Sequence, residues 1–262
     1  MTLVKHELRQ GKIALIIWTL AIAFLMVVCV MMFPEMKGEM DGVSEMFASM
    51  GSFTAAFGMD KLNFGTLIGF YGVECGNILG IGGGFFVAYL GVTMLSKEEK
   101  EHTAEFLLTH PVSRFSIVLQ KLCSVAVQIV AMNVAIVMLS GISIIAIGEK
   151  IPMKEFCLIH TAYLLLQLEI GGICFGLSAF LRRGSIGIGL GTAAMLYFAN
   201  LICNISDLAE FLKYITPFAY SEPADIVSDG SLNGLLLLLG FVYATAEIVI
   251  GFIKYVRKDI AA

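Results

Sequence analysis

The run "IALIIWTLAIAFLMVVCVMMF", residues 13–33, decides the fold class. It contains no charged residue, and a helix needs about 20 mostly apolar residues to cross a bilayer. Five further stretches read the same way: 72–95, 122–147, 157–180, 186–203 and 234–256. Their apolar residues do not alternate with polar ones, as the strands of a membrane barrel would. Composition points in the same direction. The 262 residues are 58% hydrophobic and 15% charged, against about 25% charged in a soluble domain, and the mean hydropathy is +0.87. The expectation is one all-α polytopic membrane domain over residues 1–262, with six transmembrane helices and little chain left for a soluble domain.

Charge sets the orientation. With the N-terminus inside, inner segments hold 12 of the 17 Lys and Arg residues; only Lys37, Lys61, Lys150, Lys154 and Lys213 fall outside. Positive charge is retained on the cytoplasmic side, so both termini are expected there. The acidic outer loops make the net charge of −4 uninformative about a nucleic-acid partner, and none is expected. The apolar core near the N-terminus is too long for a signal peptide, and no small-residue cleavage site follows it. It reads as a retained span preceded by a short amphipathic helix, "TLVKHELRQGK", residues 2–12. In the first outer loop, Val43, Met46, Met50, Phe53 and Phe57 have helical spacing. They suggest a helix on the membrane surface or packed on the bundle. The six cysteines have no CxxC spacing and behave as small apolar residues.

Several chemistries are missing. "ELRQGKIA" has Gly-Lys but neither the earlier glycine nor the Ser or Thr of a phosphate-cradling loop. The glycines of "GNILGIGGGF" and "GSIGIGLGT" lie within spans, without a strand–turn–helix context. There is no HExxH or GxSxG, and His6, His102, His110 and His160 are not spaced as metal ligands. No metal or cofactor is expected on this chain. The glycines instead suit packing. Gly72, Gly76, Gly80 and Gly84 recur every four residues, and Gly187 and Gly191 repeat the pattern in the fifth span. Such stripes let a neighbouring backbone approach closely.

Three acids lie in or near spans: Glu74 near an outer end, and Glu169 and Glu247 near mid-depth. An acid in the bilayer costs several kcal/mol and faces a partner or a cavity. Glu169 and Glu247 are either hydrogen-bonded structural groups or a proton or cation site, with Gln128, Asn133 and Gln167 as possible partners.

Between the second and third spans lies "EEKEHTAEFLLTHPVSR", residues 98–114. The i,i+4 pair Lys97 and Glu101 supports a helix, Phe106 to Leu108 form an apolar patch, and Pro111 disfavours helical geometry at His110. The helix should stop near Thr109, and Ser113 should cap a second helix that enters the membrane. A solvated loop is the plainer reading; the regular design favours a docking element.

Here the sequence resembles the type-2 ABC transporter permeases. "EHTAEFLLTHPVSRFSIVLQKL", residues 101–122, looks like their cytoplasmic signature, with Thr103, Glu105, Leu107, Leu108, Pro111, Val112, Ser113, Arg114 and Lys121 on the pattern. His102 stands where the family commonly has Gly. "LKYITPFAY", residues 212–220, is similar to the stretch before the family's last span, and "KHELRQGKIALIIW" is typical of its N-terminus. The resemblance covers essentially the whole chain.

The resemblance implies a separate ABC ATPase subunit that holds ATP and Mg, and a second permease copy, identical or related. It implies an interfacial elbow helix at the N-terminus and a cytoplasmic coupling helix within residues 97–113. Glu98, Glu101, Glu105, Phe106, Leu107, Pro111 and Arg114 would serve ATPase coupling. The first and fifth spans would line the permease–permease interface. The expected activity is ATP-driven export, with amphipathic or antimicrobial peptides or drugs as cargo, by a chain that is not itself catalytic. Glu169 and Glu247 would lie on the translocation path. The alternatives are an ion-coupled secondary transporter using Glu169 and Glu247, which would be expected to show internal repeats, and an intramembrane enzyme using His160 or a buried glutamate.

Overall fold

A computed structural model describes residues 2–37, 50–103, 112–181 and 185–258. These residues form helices and connecting turns, without strands. Six of the helices are long and apolar enough to cross a membrane: α1 (Thr2–Lys37), α3 (Leu67–Met94), α5 (Arg114–Ala146), α6 (Met153–Ser178), α7 (Ile186–Ile205) and α9 (Gly234–Arg257). Shorter elements lie between them: α2 (Ser52–Ala56), the single turn α4 (Lys97–Lys100), two 3-10 segments (Asp207–Tyr214 and Pro217–Ser221) and α8 (Pro223–Asp229).

Each expected span is present, but several helices begin earlier than their apolar runs because polar caps set the ends. The Thr66 hydroxyl accepts from Gly69 N–H at 3.2 Å and opens α3. Ser113, as expected, accepts from Ser116 N–H at 3.2 Å and opens α5. Asn233 accepts from the N–H groups of Leu235 and Leu236 and opens α9 at Gly234, where its apolar run begins. The amphipathic stretch at residues 2–12 is not a separate element: α1 runs unbroken from Thr2 to Lys37. In the first long loop, Val43 and Met46 lie outside the described residues, and among the described ones α2 is the helical part. Phe53 is exposed and packs at a tilt against Phe57, ring centroids 5.3 Å apart.

The bundle is built around α3 and α6, which pack on each other most extensively. Helices α1, α7 and α9 present much of their apolar surface outward, as at Ile13, Phe24, Met195, Phe198 and Ile250. This is the arrangement a bilayer allows, since lipid solvates apolar side chains and gives no drive to hide them.

Glycines set the closest approaches. The stripe at Gly72, Gly76, Gly80 and Gly84 receives side chains more than a backbone. A Cβ at Gly76 would meet Pro223 Cγ and the Tyr163 hydroxyl at 2.9 Å each, and Gly80 lies under Tyr163 and Phe218. Backbone itself comes near at Gly91, where a Cβ would stand 2.5 Å from the Gly171 carbonyl oxygen. In α7 the contact glycine is Gly189, whose Cβ would fall 2.8 Å from the Ala88 carbonyl oxygen. Gly187 and Gly191 face away: nothing lies within 4 Å of a Cβ at Gly191, and only Ser185 Oγ, at 3.8 Å, near one at Gly187.

Candidate functional site

The charged segment after α3 begins with the single turn α4, which ends at Lys100, and the expected stop near Thr109 lies outside the described residues. The turn closes with Glu101 N–H on the Lys97 carbonyl at 2.8 Å and Thr103 N–H on the Glu98 carbonyl at 2.9 Å. The second bond spans five residues and puts His102 in the left-handed region, φ 57°, where helix ends favour glycine. His102 thus occupies the backbone conformation for which the glycine common in the signature is suited. Glu105, Phe106, Leu107 and Pro111 lie outside the described residues.

Glu98 does not face outward. It is 9% exposed and forms an ion pair with Lys121 of α5, which is wholly buried. Lys121 Nζ also lies 3.2 Å from Glu7 Oε1 of α1 and donates to the Met94 carbonyl at 2.7 Å. Lys97 pairs with the same Glu7 and donates to Gln10 Oε1 at 2.8 Å. Glu99, which sequence reasoning did not single out, pairs with Lys258 at 2.6 Å with both side chains nearly buried. Arg114 donates to the Val256 and Lys258 carbonyls at 3.1 and 2.7 Å, closing the C-terminal end of α9. Three acids and three lysines therefore fasten α4 to α1, α5 and the residue after α9. The start of α1 and the end of α9 consequently meet at one end of the bundle. Beside this latch is a cavity of about 590 Å³. Thr2, His6, Gln10, Glu101, Thr103 and Gln120 line its polar wall. Glu101, unlike Glu98, is exposed.

The two intramembrane acids are separated. Helices α6 and α9 run side by side in the same direction. A Cβ at Gly240 would lie 2.0 Å from Glu169 Oε2, and one at Gly176 would lie 2.2 Å from the Glu247 carbonyl oxygen. Seven residues on each helix separate these contacts, about 10 Å along the axis. Glu169 is 1% exposed, whereas Glu247 is half-buried. Asn133 donates to Gln167 Oε1 at 2.6 Å, Gln167 donates to the Leu79 carbonyl at 3.4 Å, and Gln128 donates to the Ser124 carbonyl at 3.3 Å. Neither Glu169 oxygen has a hydrogen bond among the described residues. The buried Tyr220 hydroxyl interacts with this carboxyl, but without hydrogen-bond geometry. Glu169 borders a cavity of about 260 Å³ between α5, α6 and α9.

At the opposite end of the bundle, Glu222 is a group that sequence reasoning missed. It accepts from Asn200 and Asn204 of α7 at 3.1 and 3.2 Å. Burial pushes its carboxyl above the ordinary range, while the two amides pull it back. The only signal was an acid between Ser221 and Pro223 in an otherwise apolar setting. The neighbouring "ITPFAY" is structural. The Thr216 hydroxyl accepts from Phe218 N–H at 3.3 Å and donates to the Leu196 carbonyl at 2.7 Å. These bonds seat Phe218 over Gly80 and Gly84. His160, considered above as a catalytic group, shares a 2.7 Å hydrogen bond with the Tyr71 hydroxyl.

Compared with known proteins, residues 1–260 match the model of a family described as ABC-2 family transporter protein. No curated protein matches the chain.

Proposed function

This chain belongs to the ABC-2 family of transporter proteins, and from that premise we propose that it exports its cargo with energy from a separate ABC ATPase. The family makes it the membrane component of an ABC transporter and a multi-pass membrane protein. ATP and Mg belong to the partner subunit. The observation that carries the coupling reading is the latch at Glu7, Glu98 and Lys121. It holds the turn Lys97–Lys100 rigidly against three spans, so force applied at the turn enters the bundle without being absorbed by a loose joint. Glu101 and the adjoining Glu105, Phe106 and Leu107 are the groups offered to the ATPase. Glu98 and Arg114 hold that platform from within. The Lys and Arg asymmetry supports a cytoplasmic position for this end and both termini, in a bacterial inner membrane. The open Gly187 and Gly191 on outward-facing α7 support a second permease copy there, identical or related. Glu169 and Glu247 remain assigned to the translocation path, at two depths. Amphipathic or antimicrobial peptides or drugs are the proposed cargo.

The test is co-purification with a candidate ABC ATPase subunit, followed by transport in reconstituted vesicles. Glu105→Ala with Phe106→Ala should leave the permease inserted and weaken ATPase binding or coupling; residues like these at an interface are often worth about 2 kcal/mol or more. Transport by the permease alone, driven by an ion gradient, would overturn the proposal in favour of a secondary transporter.

A further inference from the structure

The wedge beside Glu169 has a physical origin in three glycines. Helix α9 closes on α6 at Gly172, Gly176 and Gly240, where added Cβ atoms would meet Ile248, the Glu247 backbone and the Glu169 carboxyl. Against α5 it is held at one end, by Phe115 on Phe252 at 4.8 Å and by Arg114 on the last carbonyls. Above that contact the two helices stand apart, leaving the cavity of about 260 Å³. Its walls are Val125 and Ile129 of α5, Leu168 of α6, and Phe241 and Ile248 of α9. Phe241, 39% exposed, marks its mouth on the outer surface of the bundle. Thr245 is the polar wall residue besides Glu169.

An ionised carboxylate has about four acceptor positions, and no hydrogen bond fills any on Glu169. The Tyr220 hydroxyl interacts with this carboxyl but not in hydrogen-bond geometry, whereas Gln167 and Asn133 have each other. We infer that the wedge is a binding site for a hydrophobic amine or guanidinium that enters from the bilayer and places its N–H donors on Glu169. Charge and hydrogen bonding then act together on the head group, and the apolar walls take the adjoining ring or chain. The volume is near the lower end of the roughly 300–1,000 Å³ of small-molecule pockets. It holds the head and first part of the apolar body, with a longer tail remaining in lipid. The inference rests on the translocation reading of Glu169 and narrows the cargo to cationic amphiphiles. It leaves Glu247 outside the site.

The experiment is a fluorescence titration of the permease in zwitterionic nanodiscs with monodansylcadaverine, a primary amine on a naphthalene fluorophore. Its N-acetyl derivative is the uncharged control, and empty nanodiscs correct for partitioning. Saturable binding is expected, weakened about tenfold or more by Glu169→Gln and by N-acetylation. Ala126→Phe, which fills the wedge from its α5 wall, should abolish binding. Equal affinity for Glu169→Gln and wild type would overturn the site, as would equal affinity for the amine and its acetylated form; the wedge would then hold only a lipid chain. Should Glu169→Gln fail to fold, retained affinity in Ala126→Phe overturns it alone. The assay contains no ATPase, so binding without ATP-driven transport would remove the export reading and leave the site. The converse result would remove the site and leave export.

Discussion

Replacing Lys121 with Met keeps a flexible chain of similar volume and removes the cation at the centre of the latch. In the native structure Glu7 and Glu98 face Lys97 and Lys121, so the four charges cancel. Without Lys121, two buried carboxylates share one lysine that is itself partly solvated, 21% exposed at its side chain. The Met94 carbonyl also loses its 2.7 Å donor. Removing one partner of a buried ion pair typically costs about 3–5 kcal/mol, because the remaining charge stays buried. At about 2–4 °C per kcal/mol for 150–250 residues, the melting temperature in detergent should fall by roughly 6–20 °C. Adding Glu98→Gln removes the surplus charge and should recover most of the loss. The double-mutant cycle then measures the coupling directly. A Lys121→Met protein that melts within about 2 °C of wild type, or a double variant no more stable than the single, would refute the latch as drawn.

His102→Gly should stabilise the protein by about 1 kcal/mol, since a side chain in the left-handed region costs roughly that amount; a lower melting temperature would contradict the assigned turn. Gly176→Ala should cost about 1–3 kcal/mol, because its Cβ meets backbone that cannot yield. Gly191→Ala should leave the isolated chain unchanged and lower only self-association, read by thermal melts and by size under mild detergent. Glu222, raised by burial, contributes stability that is present below the ordinary carboxylate value and lost as pH rises through its raised one. Glu222→Gln keeps an acceptor for the two asparagines and should flatten that slope in melts run across pH. A single cysteine at position 100, in a background without native cysteines, should resist an impermeant reagent added outside intact cells; labelling there would reverse the topology.

The six spans were legible because an apolar run long enough to cross a bilayer has few other uses. Their ends were less so, since Thr66 and Ser113 lie outside those runs and act through one hydrogen bond each. The inward position of Glu98 was not legible for a different reason. Helical spacing tells which side chains share a face, and the same spacing serves an exposed face or an inward one. Its partner Lys121 lies 23 residues away and Glu7 is 90 residues from Lys97, distances over which pattern carries no pairing information. The fifth span shows the same limit. Gly187, Gly189 and Gly191 all satisfy a small-residue reading, and only packing shows that Gly189 meets α3. Glu222 was invisible because its burial comes from a loop folding back on α7, which no local pattern records.

The unbroken course of α1 turns this end of the molecule into the short arm of a lever. Its 36 residues extend about 54 Å, well beyond the roughly 30 Å hydrocarbon core. Glu7, near one tip, is gripped by Lys97 and Lys121, while Lys37 at the other tip holds Glu149 through an exposed 2.7 Å pair. An exposed pair contributes about 0–1 kcal/mol, so the far tip is weakly tethered. A tilt of about 5° imposed at the gripped end would carry that tip through about 5 Å over the 54 Å length. That is comparable to one helical turn, and enough to part Lys37 from Glu149.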